Sequence, residues 1–306
     1  MRRLLAAAVV LLPVSVFAGC GGGAKESTPS PPPPLTTTTT AAPTQPTTTT
    51  APPVVPAMSW QEAGAFVWHE TDISPEALGQ ELRANGFGWV ALFVQDGVTE
   101  DPVEGNWIAR FRAASGLPVG GWGALRTDPV QEARLASSLV ARDGLDFYIA
   151  DAEAEYAYSG AGGPSRVRFD RSREFVSEFR RLEPALPAAV SSYCRPDQHD
   201  LDWKAWSAAG FAFLPQAYVN DFGMAASPSA CANGAAKWFP RDKVHPVVGS
   251  YSGLRGLVSP ETWGRLLSAA GTTGFAIYPA EVGLSNQDWA AFGQSLRAAR
   301  LASLPG

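Results

Sequence analysis

Basic runs, histidine-rich tracts and phosphate-cradling glycine motifs are absent from this chain, and cysteine is scarce, with 3 in 306 residues. Without a Lys/Arg cluster there is no electrostatic footprint for nucleic acid or for direct docking on anionic lipid. Apolar runs of spanning length are also missing. The longest, Leu4 to Ala18, falls short of the ~20 residues a transmembrane helix needs, which disfavours a permanent membrane span. Charge is sparse too, at 17% of residues and a net −5.

What is present begins with MRRLLAAAVVLLPVSVFAGC, two arginines, an apolar run and small residues ahead of a cysteine. This is the pattern of a bacterial export signal, residues 1–19. Phe17-Ala18-Gly19-Cys20 resembles a lipobox, which implies cleavage before Cys20 and acylation of that cysteine. The chain is therefore expected at the cell membrane, held through the N-terminal lipid only and facing the extracytoplasmic side. Loss of Arg2 and Arg3 takes the mature net charge to about −7. Residues 20–57, rich in Thr and Pro, cannot bury enough apolar surface to fold and read as a disordered tether. At up to ~3 Å per residue it reaches on the order of 100 Å.

Residues 58–306 have the length of one (β/α)8 unit. Eight short apolar, aromatic-rich runs recur: AFVWH at 65–69, WVALFV at 89–94, PVGGWGA at 118–124, FYIAD at 147–151, PAAVSSY at 187–193, AFLPQAY at 212–218, VHPVVGSY at 244–251 and GFAIYP at 274–279. Helix signals lie between them. Ser74-Pro75-Glu76 and Ser259-Pro260-Glu261 each combine a capping serine, a first-turn proline and an early acid. Asp128-Pro129 opens a third helix, with Gln131 placed to close a capping box. Strand and helix alternate throughout, which predicts an α/β protein with a parallel sheet. Eight repeats favour a closed (β/α)8 TIM barrel over an open doubly wound sheet.

In such a barrel the site forms at the C-terminal strand ends. The tips there are His69 and Glu70, Gln95 and Asp96, Trp122, then Asp151, Glu153 and Glu155, followed by Ser192 and Tyr193, Gln216 and Tyr218, Ser250 and Tyr251, and Tyr278 and Glu281. Carboxylates, amides and flat rings suit a polyhydroxylated ligand, whose sugar rings offer hydroxyls at the edge and an apolar face. Rim packing is the alternative for Trp122 and the tyrosines.

The run FYIADAEAEY concentrates the chemistry. By strand alternation Phe147, Ile149, Asp151, Glu153 and Glu155 share one side, while Tyr148, Ala150, Ala152 and Ala154 share the helix-facing side. Carboxylates at i and i+2 stand about 6.6 Å apart at the backbone, close enough to couple. Glu153, flanked on both sides, is the expected proton holder and general acid, with Asp151 ionised beside it. Asp221 and Glu281 are reserve carboxylates on other strands. His199 and Asp200 read as surface polar residues.

Asp151-x-Glu153 at the end of a fourth barrel strand resembles the catalytic strand of family 25 and family 18 glycoside hydrolases. That resemblance implies Glu153 as acid and Asp151 as its helper, with Gln216 and Tyr218 similar to the polar and aromatic tips on the sixth strand. WGALRTDP, DAEAEY and SSYCRP are similar to glycoside-hydrolase-like barrel domains of bacterial and phage proteins. AFVWHETD offers His69, Glu70 and Asp72 where family 25 has a first-strand aspartate, and the fuller family 18 signature is absent.

Three functions follow as expectations: a glycoside hydrolase acting on a cell-wall or extracellular polysaccharide, a catalytically inactive glycan-binding barrel, and a metal-dependent phosphodiesterase using Glu70, Asp151, Glu153 and Glu155 with His69. The first two need no cofactor and no metal, and a monomer suffices. With Cys20 assigned to lipid, Cys194 and Cys231 are expected to form a disulfide bracing the mouth. Such a bridge stabilises by about 3 kcal/mol.

Overall fold

The computed structural model describes residues 57–157, 166–198, 201–272 and 274–281. The expected signal peptide, Cys20 and the expected tether as far as residue 56 lie outside them, as do His199 and Asp200. Among the described residues no helix is long and apolar enough to cross a membrane.

All eight expected runs are strands. They are β1 (Ala63–Val67), β2 (Phe87–Asp96), β4 (Val119–Ala124), β5 (Tyr148–Asp151), β6 (Ala188–Tyr193), β7 (Ala212–Gln216), β8 (Val247–Gly249) and β9 (Phe275–Tyr278), while β3 (Thr99–Glu100) is a short antiparallel extension of β2. The eight longer strands pair in parallel around a ring, and β1 pairs with both β2 and β9. That double pairing closes the sheet into a (β/α)8 TIM barrel and rules out the open doubly wound alternative.

Between strands run α1 (Pro75–Ala84), α2 (Trp107–Ser115), α3 (Pro129–Asp143), α4 (Ala154–Ala157), α5 (Arg166–Leu182), α6 (Trp203–Ala208), α7 (Val219–Phe222), α8 (Pro228–Ala235) and α9 (Pro260–Ala270). The serine caps form as expected: Ala77 N–H donates to Ser74 Oγ and Thr262 N–H to Ser259 Oγ, each at 3.3 Å. At α3 the outcome differs. Asp128 caps the Gln131 N–H, but the side chain that reaches back to the Asp128 N–H is Glu132, not Gln131. Glu132 faces the barrel, so its carboxylate can also collect the N–H groups of the preceding loop.

Strand alternation separates two apolar layers. Tyr148, Ala150 and Val190 face the helices, whereas Phe66, Trp89, Trp122, Phe147, Ile149 and Leu214 fill the barrel. Glycine makes room for the largest of these. A Cβ on Gly64 would stand 2.0 Å from the Trp89 ring, and one on Gly120 would stand 2.3 Å from Phe147. Trp60 packs edge-on against Trp89 and Phe147 at 5.5 and 5.3 Å. The barrel interior is therefore a packed core, and the space beside its strand ends lies at the mouth.

Cys194, just after β6, and Cys231, in α8, form the expected disulfide, with Cα atoms 4.6 Å apart across a separation of 37 residues. The bridge is buried with Ala217 and Ala226 next to the end of β7. It ties the segment after β6 to the segment after β7.

Candidate active site

The mouth holds a cleft of about 360 Å³. Seven residues singled out from the sequence line it: Asp96, Trp122, Asp151, Glu153, Gln216, Tyr218 and Tyr278. β5 ends at Asp151, so strand alternation stops there. Glu153 follows in the two-residue link between β5 and α4, and Glu155 falls on the short helix α4. Glu155 consequently stays out of the cleft lining and pairs with Arg126 at 3.3 Å.

Gln216, at the tip of β7, joins the two remaining carboxyl groups. Its Nε2 donates to Asp151 Oδ1 at 3.2 Å and to Glu153 Oε1 at 2.6 Å. One amide thus holds both acids in a fixed relation. Burial, then the neighbouring Glu153 charge, pushes the Asp151 carboxyl well above its usual range, while hydrogen bonds from Ser191 and Gln216 oppose the shift. Spacing pointed to Glu153 as the proton holder, and the carboxyl that burial raises is Asp151. Asp151 stands at the end of β5, and burial is the largest cause of its shift. Asp151 and Glu153, joined by Gln216, form a carboxyl dyad in which the raised Asp151 group stores a proton.

The shift sets a sign for stability. Asp151 keeps its proton in the folded protein at pH values where the unfolded chain, near the ordinary 3.8, has lost it. Its contribution is complete below that value and declines as pH rises through the elevated folded value. The Asp151→Asn variant should therefore show a flatter stability-versus-pH curve and exceed the parent at pH 7–8. Thermal midpoints measured from pH 4 to 8 check this, and parallel curves for the two proteins would refute it.

The other walls are aromatic. Phe93 lies 4.5 Å from Trp122, Tyr218 stacks with Tyr278 at 6.0 Å, and Trp122 meets Tyr278 edge-on at 6.0 Å. Trp122 is locked by its Nε1–H donating to Val67 O at 3.0 Å. Trp68, beyond the end of β1, lines the rim and is 44% exposed. Burial and the nearby carboxylates raise the Tyr218 and Tyr278 phenols, which stay neutral donors over any working pH.

Several sequence-derived site residues lie elsewhere. Gln95 is fully buried on the helix side, where it donates to Gly97 O and Glu132 O and accepts from Tyr148 Oη at 2.8 Å. The cause is a β-bulge: β2 and β4 pair at Phe93↔Trp122 and then at Gln95↔Gly123, skipping Val94. The extra residue reverses the alternation, so Gln95 turns out and Asp96 turns into the cleft. Glu70 instead accepts the Glu104 N–H at 3.2 Å and ties the first loop to α2. His69 is exposed, its ring stacked on Trp68 at 5.5 Å.

Glu281 Oε1 accepts the N–H groups of Trp68 and His69 at 2.8 and 3.0 Å, so it positions the rim. Burial pushes its carboxyl up. Tyr251 stands behind Tyr218 at 5.9 Å and donates to Asp221 at 2.5 Å. Of the β6 tips, Ser192 donates to Ala152 O on the outer side, leaving Ser191 to line the cleft. Ser250 likewise donates to Pro279 O. Tyr193 lines a neighbouring cavity. Among the described residues no three His, Cys, Asp or Glu side chains converge to hold a metal ion, so the donor set of the phosphodiesterase reading is not assembled.

Arg126 is the charged residue that sequence reasoning left without a role. It lines the cleft and pairs with Asp96 at 2.6 Å. Glu132 places it. The fully buried Glu132 Oε1 accepts the N–H groups of Arg126, Thr127 and Asp128 at 2.8, 2.9 and 3.3 Å, and its Oε2 accepts the Tyr156 hydroxyl at 2.6 Å. One carboxylate therefore anchors both the loop after β4 and the segment carrying Glu153. An acid one turn into α3 was the available signal, but its burial depends on how α3 packs.

Fold and site together define a (β/α)8 barrel with a carboxylate dyad set in an aromatic cleft at its C-terminal mouth. No family profile and no curated protein sequence matches the chain. Solved structures share the fold. A GH18 chitinase from Pseudoalteromonas aurantia is 14% identical over 77% of this chain and 100% of its own, with a TM-score of 0.58. The class V chitinase from Nicotiana tobaccum is 8% identical over 77% and 98%, at 0.57. The chitinase-like agglutinin RobpsCRA from Robinia pseudoacacia is 10% identical over 76% and 99%, at 0.54.

Proposed function

We propose that this protein is an exported, lipid-anchored glycoside hydrolase that acts on a cell-wall or extracellular polysaccharide. The observation that carries the reading is Gln216 bridging Asp151 and Glu153 at the edge of the aromatic cleft. A sugar ring lies with its apolar face on Trp122 or Tyr278 and its hydroxyls toward Arg126 and the phenols. The dyad delivers a proton to the departing glycosidic oxygen, and the carboxylate charge left behind favours the positive charge growing at the anomeric carbon. Water completes the exchange. The likeness in fold to chitinases, one of them solved in complex with NAG4, supports chitin as the first polymer to test.

The second reading, a glycan-binding barrel without turnover, is favoured by one observation. His69 and Glu70 stay out of the cleft, so the first strand brings no acid to face the dyad. The similarity to an agglutinin points the same way. Purified peptidoglycan, chitin, arabinogalactan and α- and β-glucans separate the two readings: released reducing sugar supports a hydrolase, whereas retention on polymer without release leaves only the binding barrel.

The lipobox-like Phe17-Ala18-Gly19-Cys20 and the Thr/Pro-rich stretch after it support anchoring through a lipid and action at a distance from the membrane. The Cys20→Ala variant should leave the membrane fraction. Equal membrane retention of parent and variant would count against lipidation.

A further inference from the structure

Beside the central cleft lies a second cavity of about 310 Å³, lined by Tyr193, Cys194 and Arg195 from the segment after β6 and by Phe222, Ala225 and Ala226 from the segment after β7, with Gln216 shared between the two cavities. We propose that this cavity is a second sugar subsite, filled by the unit on the other side of the bond that Asp151 and Glu153 serve. The inference rests on the central cleft being a glycan site.

Three observations lead there. A glycosidic bond joins two sugars, so an acid pair that cleaves it needs ligand space on both flanks. Gln216 supplies that arrangement, because its side chain walls both cavities while its Nε2 holds both carboxyl groups. The Tyr193 phenol lies close enough to the charges of Glu153, Glu155 and Asp151 for them to add to the burial that pushes it up to about 12. The second cavity therefore borders the dyad directly.

The walls also have the chemistry of a sugar platform. Phe222 is 61% exposed, and neighbouring Met224 is exposed to the same extent. A ring left in water at the edge of a cavity is unsupported by packing and available for stacking on a pyranose face. Across from it, Asp197 holds the Arg195 guanidinium through Nε and Nη2 at 2.7 and 2.5 Å. A guanidinium fixed in this way presents oriented donors to hydroxyl groups.

The third observation concerns rigidity. The Cys194–Cys231 disulfide links the very segments that form the two sides of the cavity. The width is set before a ligand arrives, which reduces the ordering cost of binding. The preferred substrate is thus an oligomer or polymer that spans Gln216, rather than a single sugar with a small leaving alcohol.

Calorimetric titration of N-acetylglucosamine and its two-, three- and four-unit oligomers, with the β-1,4-linked glucose series alongside, tests this in the Glu153→Gln protein, where turnover is blocked. We expect affinity in one series to rise at least tenfold from monomer to tetramer. Adding Phe222→Ala, which removes the platform, or Ala225→Trp, which fills the cavity, should bring that ratio toward one. Both positions are exposed, so unchanged thermal midpoints serve as the folding control. A length dependence that survives both substitutions overturns the second subsite and leaves the central cleft as the glycan site. Absence of binding by every saccharide to every variant overturns both.

Discussion

The Glu153→Gln variant is expected to lose about 10²–10⁴ in turnover of whichever polymer the parent hydrolyses, while still retaining that polymer. Glutamine keeps the size of the side chain and an oxygen that can accept from Gln216, so the cleft keeps its shape. What disappears is the Glu153 carboxyl group through which the dyad's proton reaches the substrate. Asp151 can still hold a proton, but it lies at the strand end and loses the partner that relays charge to the mouth. Reducing-sugar release with circular dichroism as the folding control measures the effect. Turnover equal to the parent would remove Glu153 from the chemistry, and a comparable loss in Asp151→Asn would show that the two act as a unit.

The Glu132→Ala variant is expected to lose roughly 3–5 kcal/mol of folding stability, because it strips a fully buried carboxylate from four donors at once. Three of the donors are backbone N–H groups of the loop bearing Arg126, and the fourth is the Tyr156 hydroxyl. A loss of that size is a large share of the ~5–15 kcal/mol that holds a typical domain together. Glu132→Gln keeps one acceptor oxygen and should cost much less, which separates the hydrogen bonds from the loss of volume. Urea unfolding of the three proteins decides the matter. If the alanine variant stays within 1 kcal/mol of the parent, water has replaced the carboxylate and the anchoring role fails.

Local signals were legible where short-range physics determines the outcome. The eight strands announced themselves because each is an apolar run bounded by turn residues. The serine-proline helix starts formed because a cap depends on only four adjacent residues. The Cys194–Cys231 bridge followed from the expectation that Cys20 carries lipid, which leaves each of the two cysteines one partner. Asp151, Glu153, Trp122, Gln216, Tyr218 and Tyr278 were placed at the mouth by alternation, which holds as long as a strand remains regular.

Alternation failed where a strand did not remain regular. The bulge at Val94 exchanged Gln95 for Asp96 in the cleft, and the end of β5 at Asp151 sent Glu155 to Arg126. Neither break has a local mark, because a bulge is settled by the register of the neighbouring strand. That Asp151 is the raised carboxyl has a related reason. Charge repulsion between neighbours is readable from spacing, but burial, the larger cause, depends on what the rest of the barrel lays over each carboxyl.

By itself the sequence determined the strand-helix repeat, the pairing of the cysteines and the presence of an acid cluster at one strand end, since all three rest on patterns within tens of residues. Tertiary structure alone decided which acids face one another, that Gln216 joins them across 65 and 63 residues, and that Glu132 sets the loop bearing Arg126. Those outcomes depend on barrel closure, which brings distant strand ends together and removes water from some carboxylates and not from others.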